Sequence, residues 1–214
     1  INVFKKLVGR NPKNFFAQNN LSVSLIQTHK TEEAVESFKK VLLMNPKSVL
    51  THYNLASLYM RIAKNEDAIN HFKRSIELDS NYYKAYVNLG LVYKKKIQFD
   101  KAKIQFNKAL TINPNNIASH INLGNIFLET KDYKNAISHY DKALEIDSNL
   151  PTIYVNLATI FLDIRNFKKA IQYREIALKL DYKSPGTFSN YLFDLQYVEN
   201  FDPNFYLKKV KKYT

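Results

Sequence analysis

The chain has 214 residues, 45% of them hydrophobic and 24% charged, which is enough apolar material for a folded core. Only 4 glycines and 6 prolines exclude a turn-rich β-sandwich or barrel, and the absence of cysteine excludes disulfides and thiolate metal sites. The net charge of +13 raises the question of a nucleic-acid partner, but the lysines are scattered over every segment. Short clusters occur only at Lys94-Lys95-Lys96 and at Lys208, Lys209, Lys211 and Lys212. The charge therefore reads as solvated faces, and the abundance of Lys, Asn, Ile and Tyr as the coding bias of an AT-rich genome. No specific nucleic-acid partner is expected. No apolar run of about 18 residues exists, and Ile1-Asn2-Val3-Phe4-Lys5-Lys6 is not a signal peptide, so no membrane contact is expected. A reducing compartment, the cytoplasm, fits the missing cysteines.

One dipeptide recurs at a fixed spacing of 34 residues: Asn11-Pro12, Asn45-Pro46, Asp79-Ser80, Asn113-Pro114, Asp147-Ser148 and Asp181-Tyr182. In chain order, residues 1–14 come first. There Ile1, Phe4, Leu7 and Val8 stand at positions 21, 24, 27 and 28 of the period, so the segment is the end of a second helix whose first half is missing and the chain is expected to be a fragment. Five full periods follow, at 15–48, 49–82, 83–116, 117–150 and 151–184. Position 7 is always leucine (Leu21, Leu55, Leu89, Leu123, Leu157) and position 8 always small (Ser22, Ala56, Gly90, Gly124, Ala158). Position 11 is large (Leu25, Tyr59, Tyr93, Phe127, Phe161), and position 20 is always alanine (Ala34, Ala68, Ala102, Ala136, Ala170). Position 24 is aromatic (Phe38, Phe72, Phe106, Tyr140) until Arg174 breaks the rule.

Positions 4, 7, 8 and 11 share one face of a first helix, and 20, 24, 27 and 28 one face of a second. Each period is a helical hairpin in which small residues at 8 and 20 permit close approach and large ones at 11 and 24 fill the gaps. A hairpin alone cannot bury its apolar face, so stability requires stacking. The Asn/Asp-Pro/Ser pair ends the second helix and opens the next. Residues 185–214 leave the period: Pro185-Gly186 breaks it, Phe188, Tyr191, Leu192, Leu195 and Val198 suggest a capping helix, and Asp202-Pro203 reads as a further N-cap.

The period and its residues resemble the tetratricopeptide repeat (TPR) signature. The resemblance implies an all-α, right-handed solenoid whose first helices line a concave groove for a protein or extended peptide, without a catalytic site of its own. Position 6 is asparagine in all five periods, Asn20, Asn54, Asn88, Asn122 and Asn156. Asparagine costs about half a kcal/mol against alanine inside a helix, and its amide pairs both donor and acceptor with a peptide backbone. Amides about 10 Å apart would form a ladder along an extended ligand; the alternative is that each bonds its neighbours within the stack. Beside them lie Val23, Ser57, Leu91, Asn125 and Thr159 at position 9, and Gln27, Arg61, Lys95, Glu129 and Asp163 at position 13, so charge changes sign along the row. A clamp for a terminal carboxylate has Lys84 and Arg61 available but lacks its other cations, with Asn19 and Asn88 standing at their places.

Catalysis finds no residues. Among five histidines, His52 and His120 share position 4 and His71 and His139 share position 23, each pair two periods or about 20 Å apart, so neither a shared metal nor a histidine pair is expected. His29 stands alone in an interhelical turn. Glycine-rich phosphate loops, Gly-x-Ser-x-Gly and His-Glu-x-x-His are all missing, and no cofactor is expected. The tail Phe188-Ser189-Asn190-Tyr191-Leu192-Phe193-Asp194-Leu195-Gln196-Tyr197, followed by Phe201-Asp202-Pro203-Asn204, resembles the segment that joins TPRs to the catalytic domain in bacterial O-linked N-acetylglucosamine transferases and SPINDLY-type relatives. That resemblance implies a substrate-recruiting arm of a protein glycosyltransferase; the other reading is a TPR adaptor without a linked enzyme.

Overall fold

The structure is a computed structural model that describes residues 1–181 and 185–195. Those residues form α1 (Asn2–Arg10) and then five hairpins: α2 (Phe15–Gln27) with α3 (Thr31–Met44), α4 (Val49–Arg61) with α5 (Asn65–Leu78), α6 (Tyr83–Lys95) with α7 (Phe99–Ile112), α8 (Ile117–Glu129) with α9 (Tyr133–Ile146), and α10 (Pro151–Asp163) with α11 (Phe167–Leu180). The last element is α12 (Pro185–Asp194). No strand occurs among the described residues, and the chain is an all-α helical-repeat solenoid. It divides into two compact units, Ile1–Pro114 and Asn115–Thr214. The positions of Val198 and Asp202-Pro203 lie outside the described residues.

Every first helix starts at period position 1 and runs 13 residues, and every second helix runs 14. The start and stop signals are side-chain hydrogen bonds. Asn14, Ser48 and Asn116 cap first helices by accepting from the amides of Ala17, Thr51 and Ser119 at 2.9, 3.3 and 2.8 Å. At the other end, the recurring Asn or Asp is the C-cap of a second helix, and its side-chain oxygen accepts from the amide two residues on, as Asp79 does from Asn81 at 2.9 Å and Asp147 from Asn149 at 2.8 Å. The bend is made by this Asx turn whether proline or serine follows.

Between the helices of a hairpin, one residue per period adopts a left-handed backbone: His29, Ala63, Ile97, Lys131 and Arg165, with φ of 58–60°. The next amide then reaches back five residues, Gln98 N–H to the Tyr93 carbonyl at 2.9 Å and Asn166 to Phe161 at 2.7 Å, the Schellman closure that satisfies the orphan carbonyls of a helix end. None of the five is glycine, and Ile97 is β-branched and 75% exposed.

The core lies between paired helices. All five position-20 alanines are fully buried, as are Phe38, Phe72, Phe106 and Tyr140. A Cβ on Gly90 would lie 2.7 Å from the Phe106 ring, and one on Gly124 would lie 2.5 Å from the Tyr140 ring. In the third and fourth hairpins positions 8 and 24 therefore face each other, and the aromatic ring occupies the space a side chain at position 8 would need. Arg174 takes the ring's place in the last hairpin. Its guanidinium is buried, and its Nε donates to Asp194 of α12 at 2.8 Å, with both side chains at most 5% exposed. Pro185 opens α12, whose Tyr191 and Leu195 bury against Leu178, while the Tyr191 hydroxyl donates to Glu175 at 2.8 Å. Burial raises the Asp194 carboxyl above its usual range, against the pull of Arg174.

A left-handed β-branched residue costs about 1–2 kcal/mol that asparagine largely avoids. Ile97→Asn is expected to raise stability by about 1 kcal/mol in guanidinium unfolding; a variant no more stable than its parent would refute strain at this turn.

Candidate peptide-binding face

Position 6 of each first helix lies one turn after position 2 and about one turn before positions 9 and 10, so positions 2, 6, 9 and 13 form one stripe. In the first unit the stripe reads Phe16, Asn20, Val23, Gln27 on α2; Leu50, Asn54, Ser57, Arg61 on α4; and Lys84, Asn88, Leu91, Lys95 on α6. Phe16 is 77% exposed and Leu50 51%, and Arg61, Lys84 and Lys95 are exposed. In the second unit it reads Ala118, Asn122, Asn125, Glu129 on α8 and Thr152, Asn156, Thr159, Asp163 on α10.

The five asparagines are not equivalent. The Asn88 amide donates to the Tyr53 hydroxyl at 3.1 Å and to Ser57 Oγ at 3.5 Å, reaching back to the preceding hairpin. Asn156 does the same, donating to Asn125 Oδ1 at 3.0 Å and Tyr140 Oη at 3.1 Å. Tyr140 closes that triangle by donating to Asn125 Oδ1 at 2.7 Å, and burial raises its hydroxyl pKa, keeping it a neutral donor. In these two cases position 6 bonds to position 9 of the hairpin before it, a tie between repeats. Asn122 donates to the Ala118 carbonyl at 2.8 Å. Asn20, exposed, and Asn54, half-buried, make no hydrogen bond with the described residues. Both readings of the asparagine row thus have members, with Asn88 and Asn156 bonded inside their units and Asn20 and Asn54 presenting open amides.

The histidines correct the sequence expectation. His52 and His71 lie in one hairpin with their Nδ1 atoms 2.9 Å apart, and His120 and His139 are 3.1 Å apart in the same way. Comparing like positions across repeats misses this, because the contact joins position 4 to position 23 of the same repeat. The signal was the shared separation of 19 residues. The same two positions pair Gln18 with Ser37 through a 2.6 Å hydrogen bond and stack Tyr154 on Tyr173 at 6.2 Å. His52 Nε2 lies 3.1 Å from the Pro46 carbonyl, which only accepts, so Nε2 carries the proton and Nδ1 accepts from His71. His71 in turn stacks on Tyr59, and His139 on Phe127. Two nitrogens do not make a zinc site, which needs three or four protein ligands, and among the described residues no group of three or more His, Cys, Asp or Glu side chains is placed to hold a metal.

One proton bridges the His52–His71 pair, and adding another sets N–H against N–H. Burial lowers the pKa of both imidazoles, as it does for His139, which falls to about 4 with help from His120 and Lys142. For His52 the hydrogen bond to the Pro46 carbonyl and the charge of Glu77 pull upward and Arg74 pulls downward, and for His71 Asp67 pulls upward against His52. With folded values below the ordinary 6.5, the stabilisation is complete above about pH 6.5 and is lost as pH falls toward about 4. The thermal midpoint is expected to drop between about pH 7 and about pH 4.5, and to drop less in the double variant His71→Gln/His139→Gln. Equal drops would show that the histidine pairs do not couple folding to protons.

No described helix is long and apolar enough to cross a membrane. No curated protein matches the sequence. Among solved structures, the chain is similar to YrrB, described as a TPR protein with an unusual peptide-binding site, at 17% identity and a TM-score of 0.71 over 87% of this chain and 96% of that one. It is similar to pilF of Pseudomonas aeruginosa at 20% identity and a TM-score of 0.69, covering 96% and 100%. MamA is 28% identical, with a TM-score of 0.65 over 68% of this chain and 85% of the other. The model of the tetratricopeptide repeat protein 21 C-terminal ARM domain matches residues 5–185. Repeat spacing, hairpin geometry and that match agree, and the chain belongs to the tetratricopeptide repeat protein 21 C-terminal ARM domain family.

Proposed function

We propose that the chain is a protein-interaction module that holds an extended segment of a partner protein against its first helices. The observation that carries this reading is the first unit's stripe, where the open amides of Asn20 and Asn54 stand beside the exposed Phe16 and Leu50. Solvated apolar side chains next to unpaired donors and acceptors suit a peptide, whose backbone supplies the missing hydrogen bonds and whose side chains cover the apolar surface. YrrB, similar in fold, is itself described as having a peptide-binding site, which supports the same class of partner. The finer reading, a recruiting arm of a protein glycosyltransferase, draws only on the tail segment from Phe188 to Asn204, and neither YrrB, pilF nor MamA is described as a glycosyltransferase. A peptide adaptor is therefore the preferred form.

The test is to select binders from a displayed random-peptide pool and compare two variants. Asn20→Ala/Asn54→Ala is expected to weaken the selected peptides about tenfold with no loss of thermal midpoint, since each amide contributes about 0.5–1.5 kcal/mol to peptide binding, holds nothing inside the fold, and gives way to a better helix former. Asn88→Ala/Asn156→Ala is expected to lower the midpoint. Undiminished peptide binding by the first variant would refute the reading.

A further inference from the structure

In the first unit, ionic groups are sorted by helix. Residues 1–114 contain eight carboxylates, Glu32, Glu33, Glu36, Glu66, Asp67, Glu77, Asp79 and Asp100, and none lies on α2, α4 or α6. Most are already engaged: Glu33 with Lys5 and Lys30 at 3.0 Å, Glu36 with Lys39 at 2.8 Å, Glu77 with Arg74 at 2.9 Å, Asp100 with Lys103 at 2.9 Å, and Glu66 with Lys96. Their lysine partners hold Glu33, Glu36 and Glu66 below the ordinary carboxylate range. The opposite holds on the stripe of the first helices, where Arg61, Lys84 and Lys95 are exposed and make no ion pair with the described residues. A face with three solvated cations and no carboxylate carries an uncompensated positive potential.

We infer that the first unit's stripe recognises an acidic extended peptide, whose apolar side chains cover Phe16 and Leu50 while its side-chain carboxylates pair with Arg61, Lys84 and Lys95. This rests on the peptide-holding reading above and adds the chemistry of the ligand. The geometry of the stripe fits such a ligand. Positions 2 and 13 are about 16 Å apart along a helix, so Phe16, Leu50 and Lys84 form one rim and Gln27, Arg61 and Lys95 the other. Asn20, Asn54 and Asn88 lie between the rims. Successive helices about 10 Å apart match about three residues of extended chain, so one carboxylate every third residue would meet successive hairpins. Nucleic acid is disfavoured because Phe16, the most exposed aromatic of the stripe, has no unpaired cation on its own helix: α2 contains no charged residue. The terminal carboxylate is not the recognised group, because the cations are spread over both rims and do not converge.

The probe is a fluorescein-labelled twelve-residue peptide of four Ser-Leu-Glu units, compared with its Ser-Leu-Gln counterpart, each with a free or an amidated C-terminus, measured by anisotropy on the whole chain. The acidic peptide is expected to bind about tenfold more tightly than the neutral one, to weaken with added salt and to be indifferent to amidation. Arg61→Glu/Lys95→Glu is expected to erase that preference, whereas Lys40→Glu/Lys73→Glu on α3 and α5, with the same change in net charge, is expected to leave it. Equal binding of acidic and neutral peptides would overturn the inference while leaving the peptide-holding reading intact. Tighter binding of a twelve-residue oligothymidylate, loss of binding on amidation, or equal weakening by the outer-helix variant would also overturn it. Binding of neither peptide would sink both readings.

Discussion

The contact between position 8 of a first helix and the ring at position 24 of its partner sets the distance on which the rest depends. With a Cβ on Gly124 only 2.5 Å from Tyr140, the two helices are as close as an aromatic ring between their backbones allows. In that hairpin position 4 meets position 23, with His120 and His139 3.1 Å apart, and in the second hairpin, with Ala56 at position 8, His52 and His71 lie 2.9 Å apart. The close approach at Gly124 also carries the Tyr140 hydroxyl to the stripe, where it joins Asn125 and Asn156. A core contact and a surface network thus share one side chain, and a shift of the ring would be felt in both.

The same spacing explains why Arg174 is tolerated. A guanidinium at the ring's position is costly to bury unless it is paired, and removing one partner of such a pair typically costs about 3–5 kcal/mol. Asp194 supplies the pair from α12, so the helix that covers the last hairpin is tied to it by charge as well as by Tyr191 and Leu195. The departure from the repeat pattern is the feature that selects what packs next to it.

The repeat could be read from the sequence because its constraints are local and periodic: leucine at 7, a small residue at 8, alanine at 20 and an aromatic at 24 are steric requirements that recur every 34 residues. What escaped that reading were contacts between different positions of one hairpin, such as His52 with His71, since aligning repeats compares like with like. The asparagine row was visible as a pattern, but its meaning was not. Asn88 and Asn54 are the same residue at the same position, and they differ because Tyr53 and Ser57 precede the one, while Asn19 and Val23, at the corresponding positions before the other, leave its amide open. The left-handed residue at position 15 was hidden for another reason, as glycine, its usual marker, is used in none of the five turns.

Within the first unit, then, the carboxylates stand off the first helices and most of them are paired, while the first helices keep amides, apolar side chains and cations exposed to solvent. The most direct test follows the asparagine side chains themselves. In a ¹⁵N-labelled chain, the Asn20 and Asn54 side-chain NH₂ resonances, assigned by single substitutions, are expected to shift when a selected peptide is added. Those of Asn70 and Asn107 on the second helices α5 and α7 should stay in place. Movement of Asn70 and Asn107 with Asn20 and Asn54 unchanged would contradict the account, since it would put the partner on the second helices and not on the stripe of the first.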